Sequence, residues 1–265
     1  MLASDALARA GRGGILEADP RWYETFFDRD WLAVAVGQDE ERNREEVAFA
    51  VEKLGVESGA RVLDLACGHG RHAVELAARG FRVTGLDISG PSLSIARERA
   101  AERLAEIELV QLDMRELAAE LEYDAVLNLN SAFGYFPSEE EDQQVLERVA
   151  RALVRGGRLL IDTINGLWIA GNFQARGWRA LEDGTVMTED RTYEAITGRS
   201  SAVWTLIHAD GTRSELVHSM RVYTCPELCG MLTRAGLEPD GVWGGVDGSE
   251  YGLDTRRLIV RARKP

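Results

Sequence analysis

Three acids and a glycine turn are spaced to hold a small ligand. In VLDLACGHGRHAVELAARGFRVTGLDIS, residues 62–89, Asp64 sits in a short apolar run and Gly68-His69-Gly70 follows it. Asp87 closes the next apolar run, seventeen residues after Gly70. Glycines in such a turn let backbone approach a ligand closely, and the free N–H groups of a helix start favour an anion. An acid at the end of the next strand can accept both hydroxyls of a ribose. Asp113, followed by Met114, ends a third apolar run. Its carboxylate can accept from an exocyclic amine while the next N–H donates to the ring. Together these residues point to a nucleoside-containing ligand at the carboxyl ends of parallel strands.

Two ligand classes fit. Gly68, Gly70 and Ala73 satisfy a relaxed GxGxxA dinucleotide pattern, which leaves a nicotinamide-dependent oxidoreductase open. Asp64 speaks against it, because a carboxylate would stand where two phosphates must sit. An acid there suits a ligand that carries an ammonium group. A third reading is a cofactor-binding fold that has lost catalysis and serves as an interaction module.

DLACGHG, then GLDIS, then QLDM resembles the signature series of class I S-adenosylmethionine-dependent methyltransferases. The resemblance implies an α/β, Rossmann-like, mostly parallel seven-stranded sheet in the order 3-2-1-4-5-7-6, with strand seven antiparallel. It implies S-adenosylmethionine as cofactor and S-adenosylhomocysteine as product. It places Asp64, Ala66, Gly68 and Gly70 at the methionine part. Arg71 either meets the methionine carboxylate or stands solvated in its helix turn. Asp87 would hold the ribose, with Ile88 packed on adenine, and Asp113 and Met114 would hold the adenine edge. Asn128, Leu129 and Asn130 would lie beside the methionine ammonium. NLNSAFGYF (128–136), the strand-rich insertion and RWYETFF (21–27) look most like the small-molecule branch, which includes glycine/sarcosine and amino-sugar N-methyltransferases. That branch implies a small-molecule acceptor methylated on N or O rather than C. Tyr135 is the candidate to orient the acceptor, and Tyr23 its rival, more in the manner of a lid.

The elements that must position these residues alternate in type. Short apolar runs at 61–66, 81–87, 107–113, 123–130 and 157–163 read as strands, separated by helices at 71–79, 90–106 and 138–157 and a short one near 115–121. Ser89 is the expected N-cap of the second helix, and Ser138 with Glu141 forms a capping box. The period falls to two between 165 and 223, where three antiparallel strands are expected, with Asp210-Gly211 and Gly198 in the turns. Val203, Ile207, Leu216 and Met220 are candidates for one apolar face there. A helix capped by Thr224 and Glu227 and strands near 241–246 and 257–263 complete the sheet. The expected division is a helical lid segment at 1–57, a cofactor-binding core at 58–165, an insertion at 166–222 that caps the acceptor or pairs two subunits, and a C-terminal completion at 223–265.

Composition narrows the partners. The chain has 265 residues with 45% apolar and 28% charged, which is globular. Its net charge of −13 opposes nucleic acid, and no basic patch offsets that field. No apolar run nears the ~20 residues of a membrane helix. The stretch with Arg9 and Arg12 lacks the apolar core of a signal peptide. Cys67, Cys225 and Cys229 make neither a disulfide framework nor a metal site, so a cytoplasmic location is expected. A homodimer is compatible with the insertion. Cys67 reads as a small buried filler, and His208 and His218 as structural.

Overall fold

The computed structural model describes residues 19–27, 31 and 40–265. Much of the N-terminal stretch, including Arg9 and Arg12, lies outside the described residues. Helix α1 (Tyr23–Phe26) is a single turn, and α2 (Glu40–Leu54) covers the core. Then come β1 (Arg61–Leu65), α3 (Arg71–Ala78), β2 (Arg82–Asp87), α4 (Gly90–Glu102), β3 (Ile107–Gln111) and β4 (Tyr123–Asn128). α5 (Glu139–Ala152) and β5 (Leu153–Ile164) follow. Two late strands, β10 (Glu238–Trp243) and β11 (Arg257–Arg263), join the same sheet. Its order is β3-β2-β1-β4-β5-β11-β10, with β11 antiparallel to β5. That is the expected 3-2-1-4-5-7-6.

Alternation along the strands splits the core in two. Val62, Val83, Leu127 and Ile259 pack under α2 and α3, while Leu63, Leu65, Leu86 and Ile161 pack with the opposite layer. Strands buried on both faces read as near-continuous apolar runs, which is why the sheet was legible. The caps are where the sequence places them. Ser92 N–H donates to Ser89 Oγ, and Ser138 with Glu141 closes a capping box. Glu227 Oε2 accepts from the Thr224 N–H and hydroxyl, opening α7 (Cys225–Arg234).

Four expectations need correction. α5 stops at Ala152 because Leu121 and Glu122 N–H groups take the carbonyls of Arg151 and Ala152, so β5 starts early. The short helix near 115–121 is one 3₁₀ turn, Met114–Glu116. The insertion opens with α6 (Gly166–Gly171) and has four strands rather than three: β6 (Arg176–Ala180), β7 (Val186–Glu194), β8 (Arg199–Ile207) and β9 (Arg213–Arg221). β6 is an exposed edge whose RGWRA lacks apolar alternation. The fourth correction is register. Trp204 faces Leu216, Ser200 faces Met220 and Val203 faces Val217 across β8 and β9. Directly opposed residues share a face, so Leu216 and Met220 lie on one side and Val203 and Ile207 on the other. The inner side carries Met187, Ala202, Trp204, Leu206, Leu216, His218 and Met220, and α1 packs against β9 there.

Candidate active site

A cavity opens at the carboxyl ends of β1 to β4, roofed by the N-terminal aromatic segment. Its floor is the loop between β1 and α3. Asp87 fixes that loop: Gly68 N–H donates to Oδ2 at 2.7 Å and Ser89 N–H to Oδ1 at 2.8 Å. Each oxygen keeps a second lone pair for a ligand hydroxyl. Burial pushes the Asp87 pKa up, and the two N–H bonds oppose that. Gly70 caps α3 at φ 74°, and a Cβ on it would stand 2.7 Å from the Ala96 Cβ of α4. Gly70 therefore shapes the floor without lining it.

At one end of the cavity two opposite charges are incompletely paired. Asp64 is 2% exposed and its Oδ2 has no hydrogen-bond partner. Burial raises its pKa, against the pull of His72 and Arg71. Arg71 gives one guanidinium nitrogen to Glu46, and its Nη2 is buried without a partner. Both residues line the cavity. A buried charged atom left unpaired costs more than about 1–3 kcal/mol, so a ligand carrying both an ammonium and a carboxylate is stabilised here. An α-amino-acid end has that pair. Glu46, which also bonds His72 Nε2 at 2.9 Å, holds the arrangement from α2. Burial opposes its ionisation, but the His72 hydrogen bond and Arg71 charge win and hold its pKa at about 2. His69 has a buried, unpartnered Nε2, and burial with the nearby Arg99 and Arg71 charges holds its pKa at about 3.

Farther along, Ile88, Leu112 and Met114 offer an apolar slot. Asp113 beside them is bound by Arg115, Nη2 to Oδ2 at 2.6 Å. The sequence reading missed Arg115. Its Nη2 also donates to the Tyr23 hydroxyl at 3.0 Å, its Nη1 to Glu141 at 2.5 Å, and it stacks 4.3 Å from the Phe136 ring centre. Its place two residues after Asp113 was the available signal. Glu46 and Asn43, one helix earlier than the motif, carried none.

The loop after β4 forms the next wall. Ala66, Leu129 and Asn130 line the cavity, but Asn128 does not. Its amide donates to Leu65 O at 3.1 Å and Ala132 O at 3.3 Å, tying β1 to the loop. Ala66, Asn130 and Ser131 all have φ near +60°, in the two loops that edge the cavity. Such residues cost roughly 1–3 kcal/mol each and persist where surrounding structure over-determines them.

The remaining wall is aromatic. Tyr23, Phe27, Trp31, Tyr135 and Phe136 line it. Tyr135 packs 5.1 Å from Trp22 and 5.5 Å from Phe27 between ring centres. No described residue hydrogen-bonds its hydroxyl, and burial pushes its pKa above 10. Behind this wall, Trp204 and His218 from the insertion contact Phe26 at 5.5 Å each. Burial and then the Arg191 charge hold the His218 pKa at about 4. Their contacts cross nearly two hundred residues of sequence, so no local pattern announced them.

The cavity thus fits S-adenosylmethionine: orphaned charges for its amino-acid end, Asp87 for a ribose, an apolar slot for adenine. The comparisons agree. Residues 62–157 match a methyltransferase domain. Cypemycin N-terminal methyltransferase from Streptomyces sp is 29% identical over 207 residues, 76% of this chain and 82% of that one. The dTDP-3-amino-3,6-dideoxy-alpha-D-glucopyranose N,N-dimethyltransferase of Streptomyces fradiae is 26% identical, covering 80% of this chain and 83% of its own. The S-adenosylmethionine-bound amino pentose methyltransferase CalS10 from Micromonospora echinaspora superposes with a TM-score of 0.65 at 23% identity, over 95% of this chain and 100% of that one. No described helix is long and apolar enough to cross a membrane. With the motif series, the sheet order, the paired orphan charges and these relatives in agreement, the chain is an S-adenosylmethionine-dependent methyltransferase that acts on a small-molecule acceptor.

Proposed function

We propose that the chain methylates an amino nitrogen on a sugar-like ring. The observation that carries this is the aromatic wall of the cavity, built from the rings of Phe27, Trp31 and Tyr135. Aromatic faces stack on the C–H faces of a saturated ring. The Streptomyces fradiae dimethyltransferase relative, named for a dTDP-linked aminodideoxyglucose, supports the same class.

S-Adenosylmethionine, when bound, supplies an electrophilic methyl group. In this reading Asp64 takes the ammonium, Arg71 the carboxylate and Asp87 the ribose. Ala66 and Gly68 give backbone, while Gly70 and Asn128 shape the site from behind. Ile88 and Met114 pack the purine, Asp113 accepts from its edge, and Leu129 and Asn130 border the reacting end. Transfer needs the amine lone pair free and in line, and positioning supplies up to about 7–11 kcal/mol. Desolvation among the rings lowers the amine pKa and favours its neutral, nucleophilic form. A phenol whose pKa is raised by burial is a poor base at neutral pH, so Tyr135 orients the amine by hydrogen bonding rather than removing its proton.

Of the segment before residue 58, the aromatic stretch at 22–27 serves as lid, and the insertion as cap over the acceptor. The three free thiols suit a reducing cytoplasm. Edge strand β6, with Trp178 74% exposed, favours pairing of two chains there, and sedimentation at twice 29.3 kDa tests it. The test of function is transfer of labelled methyl from S-adenosylmethionine to a panel of nucleotide-linked amino sugars, amino acids and phenols. Label on the amino sugars alone is expected. Label confined to phenols overturns the reading.

A further inference from the structure

We propose that Arg257, on the last strand, is a positioning residue that holds the strained turn at Asn130 and Ser131 and so sets the reacting edge of the cavity. The turn has two consecutive non-glycine residues in the left-handed region, at φ 60° and 65°. L residues visit that region as single positions, so a pair needs outside support. Asp162 on β5 supplies half of it. Asn130 N–H donates to Asp162 Oδ2 at 3.1 Å, and Ser131 N–H to the Asp162 carbonyl at 2.9 Å. Arg257 supplies the other half. Its Nε donates to Asp162 Oδ1 at 2.8 Å and its Nη1 to the Ser131 hydroxyl at 2.9 Å. One guanidinium thus fixes both the acceptor of the first N–H and the side chain of the second residue. A planar fork does this where an ammonium cannot.

The loop's far end is pinned from the insertion. Arg221 N–H donates to the Gly134 carbonyl at 2.7 Å, and Arg199 Nη2 to the Phe136 carbonyl at 2.7 Å. Between these two anchors lie Leu129, Asn130, Ala132 and Tyr135, all lining the cavity. Arg257 itself is absent from that lining, so it acts through the loop. Asn130 itself lines the cavity, and its left-handed backbone, at φ 60°, sets where its side chain leaves the loop. Arg257 lies far beyond the motif series at 64–114, in a strand that reads as sheet completion, which is why its sequence position says nothing of this role.

The inference rests on the methyltransferase reading for its binding arm only. Two measurements are made on the full chain and on Arg257→Met: affinity for S-adenosylhomocysteine by calorimetry, and hydrogen exchange at the amides of residues 129–132. Arg257→Met is expected to weaken S-adenosylhomocysteine at least tenfold and to speed exchange of the Asn130 and Ser131 amides at least tenfold, with β1 and β4 amides unchanged. Arg257→Lys, which keeps the charge beside Asp162 but loses the fork, is expected to fall between. Adding Ser131→Gly to Arg257→Met removes the Cβ that resists the left-handed backbone, and affinity is expected to return to within threefold of the parent. A purely structural role gives no such return. Should Arg257→Met fail to fold, Ser131→Ala deletes one partner of the clamp and is expected to cost at least threefold by both measures. Affinity and exchange within twofold of the parent in the folded variant overturn the proposal. A parent chain that does not bind S-adenosylhomocysteine overturns the functional reading instead, and exchange then decides the role of Arg257 alone.

Discussion

The two ends of the cavity are built by different means. At the cofactor end, backbone N–H groups and carboxylates do the shaping, and the parts lie close in sequence, from Asp64 to Asp113. At the end proposed for the acceptor, rings do the shaping: Phe27, Trp31, Tyr135 and Phe136 line it, backed by Trp22, Trp204 and His218 from distant stretches. The difference teaches that the ligand common to many such enzymes is met by fixed backbone geometry, while the variable ligand is met by side chains on replaceable elements.

The largest expected effect falls on the joint between the core and the insertion. Asp142, in the first turn of α5 and fully buried, accepts from the hydroxyl of Tyr223, just past β9, at 2.6 Å. Burial lifts the Asp142 pKa to about 7, although the Tyr223 bond lowers it. A carboxyl group whose folded pKa is raised adds stability at low pH and loses it as pH climbs through the folded value. The window therefore runs from about pH 4 to 7. Urea unfolding of the parent should lose about 2–3 kcal/mol more between pH 5 and 7.5 than Asp142→Asn does. Equal pH dependence in the two proteins would remove the joint from the account.

Next is the cofactor end. Asp87→Ala strips the acceptor from both the Gly68 and Ser89 N–H groups as well as from a ribose. Bonds to a charged group contribute about 1.5–3 kcal/mol each, so S-adenosylhomocysteine affinity should fall on the order of 100-fold. A loss under fivefold by calorimetry would mean that the loop holds its shape without the carboxylate.

At the acceptor end, Tyr135→Phe keeps the ring packed on Trp22 and Phe27 and deletes only the hydroxyl. Turnover of the acceptor found in the labelling screen should drop about tenfold, near 1.4 kcal/mol, with S-adenosylhomocysteine affinity held. Turnover within twofold of the parent returns Tyr135 to packing.

The same contrast explains what was legible. Asp64, Gly68 and Asp87 stand out because strand ends and a helix start fix their offsets, and the sheet order follows from the alternation of elements. The caps at Ser89, Ser138 and Thr224 are local and were readable for that reason. β6 was missed because an exposed edge strand carries no alternation. The face of the insertion was misassigned because period two cannot reveal which parity faces in without the partner strand. Asn128 was placed at the ligand because its position matches a motif, yet its amide is consumed by the Leu65 and Ala132 carbonyls. Glu46 and Arg257 act through partners 25 or more residues away, and long-range pairing leaves no mark on a local pattern.

Tyr23 is where the two ends meet, and it carries the smallest predicted effect. Its ring packs 5.1 Å from Phe136 on the acceptor side, while its hydroxyl accepts from Arg115, which also grips Asp113 on the cofactor side. Burial raises its pKa and the Arg115 charge pulls it back down. The phenol is therefore neutral at pH 7 and takes no proton from an amine. Tyr23→Phe removes one hydrogen bond to a charged donor and leaves the ring in place. Arg115 keeps Asp113 and Glu141, so the loss is confined to about 0.5–1.5 kcal/mol, or roughly 2- to 12-fold in S-adenosylhomocysteine affinity. As a lid, Tyr23 should show that loss as faster ligand release in stopped-flow, with turnover at saturating cofactor kept within twofold. Tyr23→Ala, which also deletes the ring between Phe136 and Trp22, should release faster still. Were Tyr23→Phe instead to depress saturated turnover tenfold while release stayed unchanged, Tyr23 would belong to the chemistry and Tyr135 would lose its place as the orienting hydroxyl.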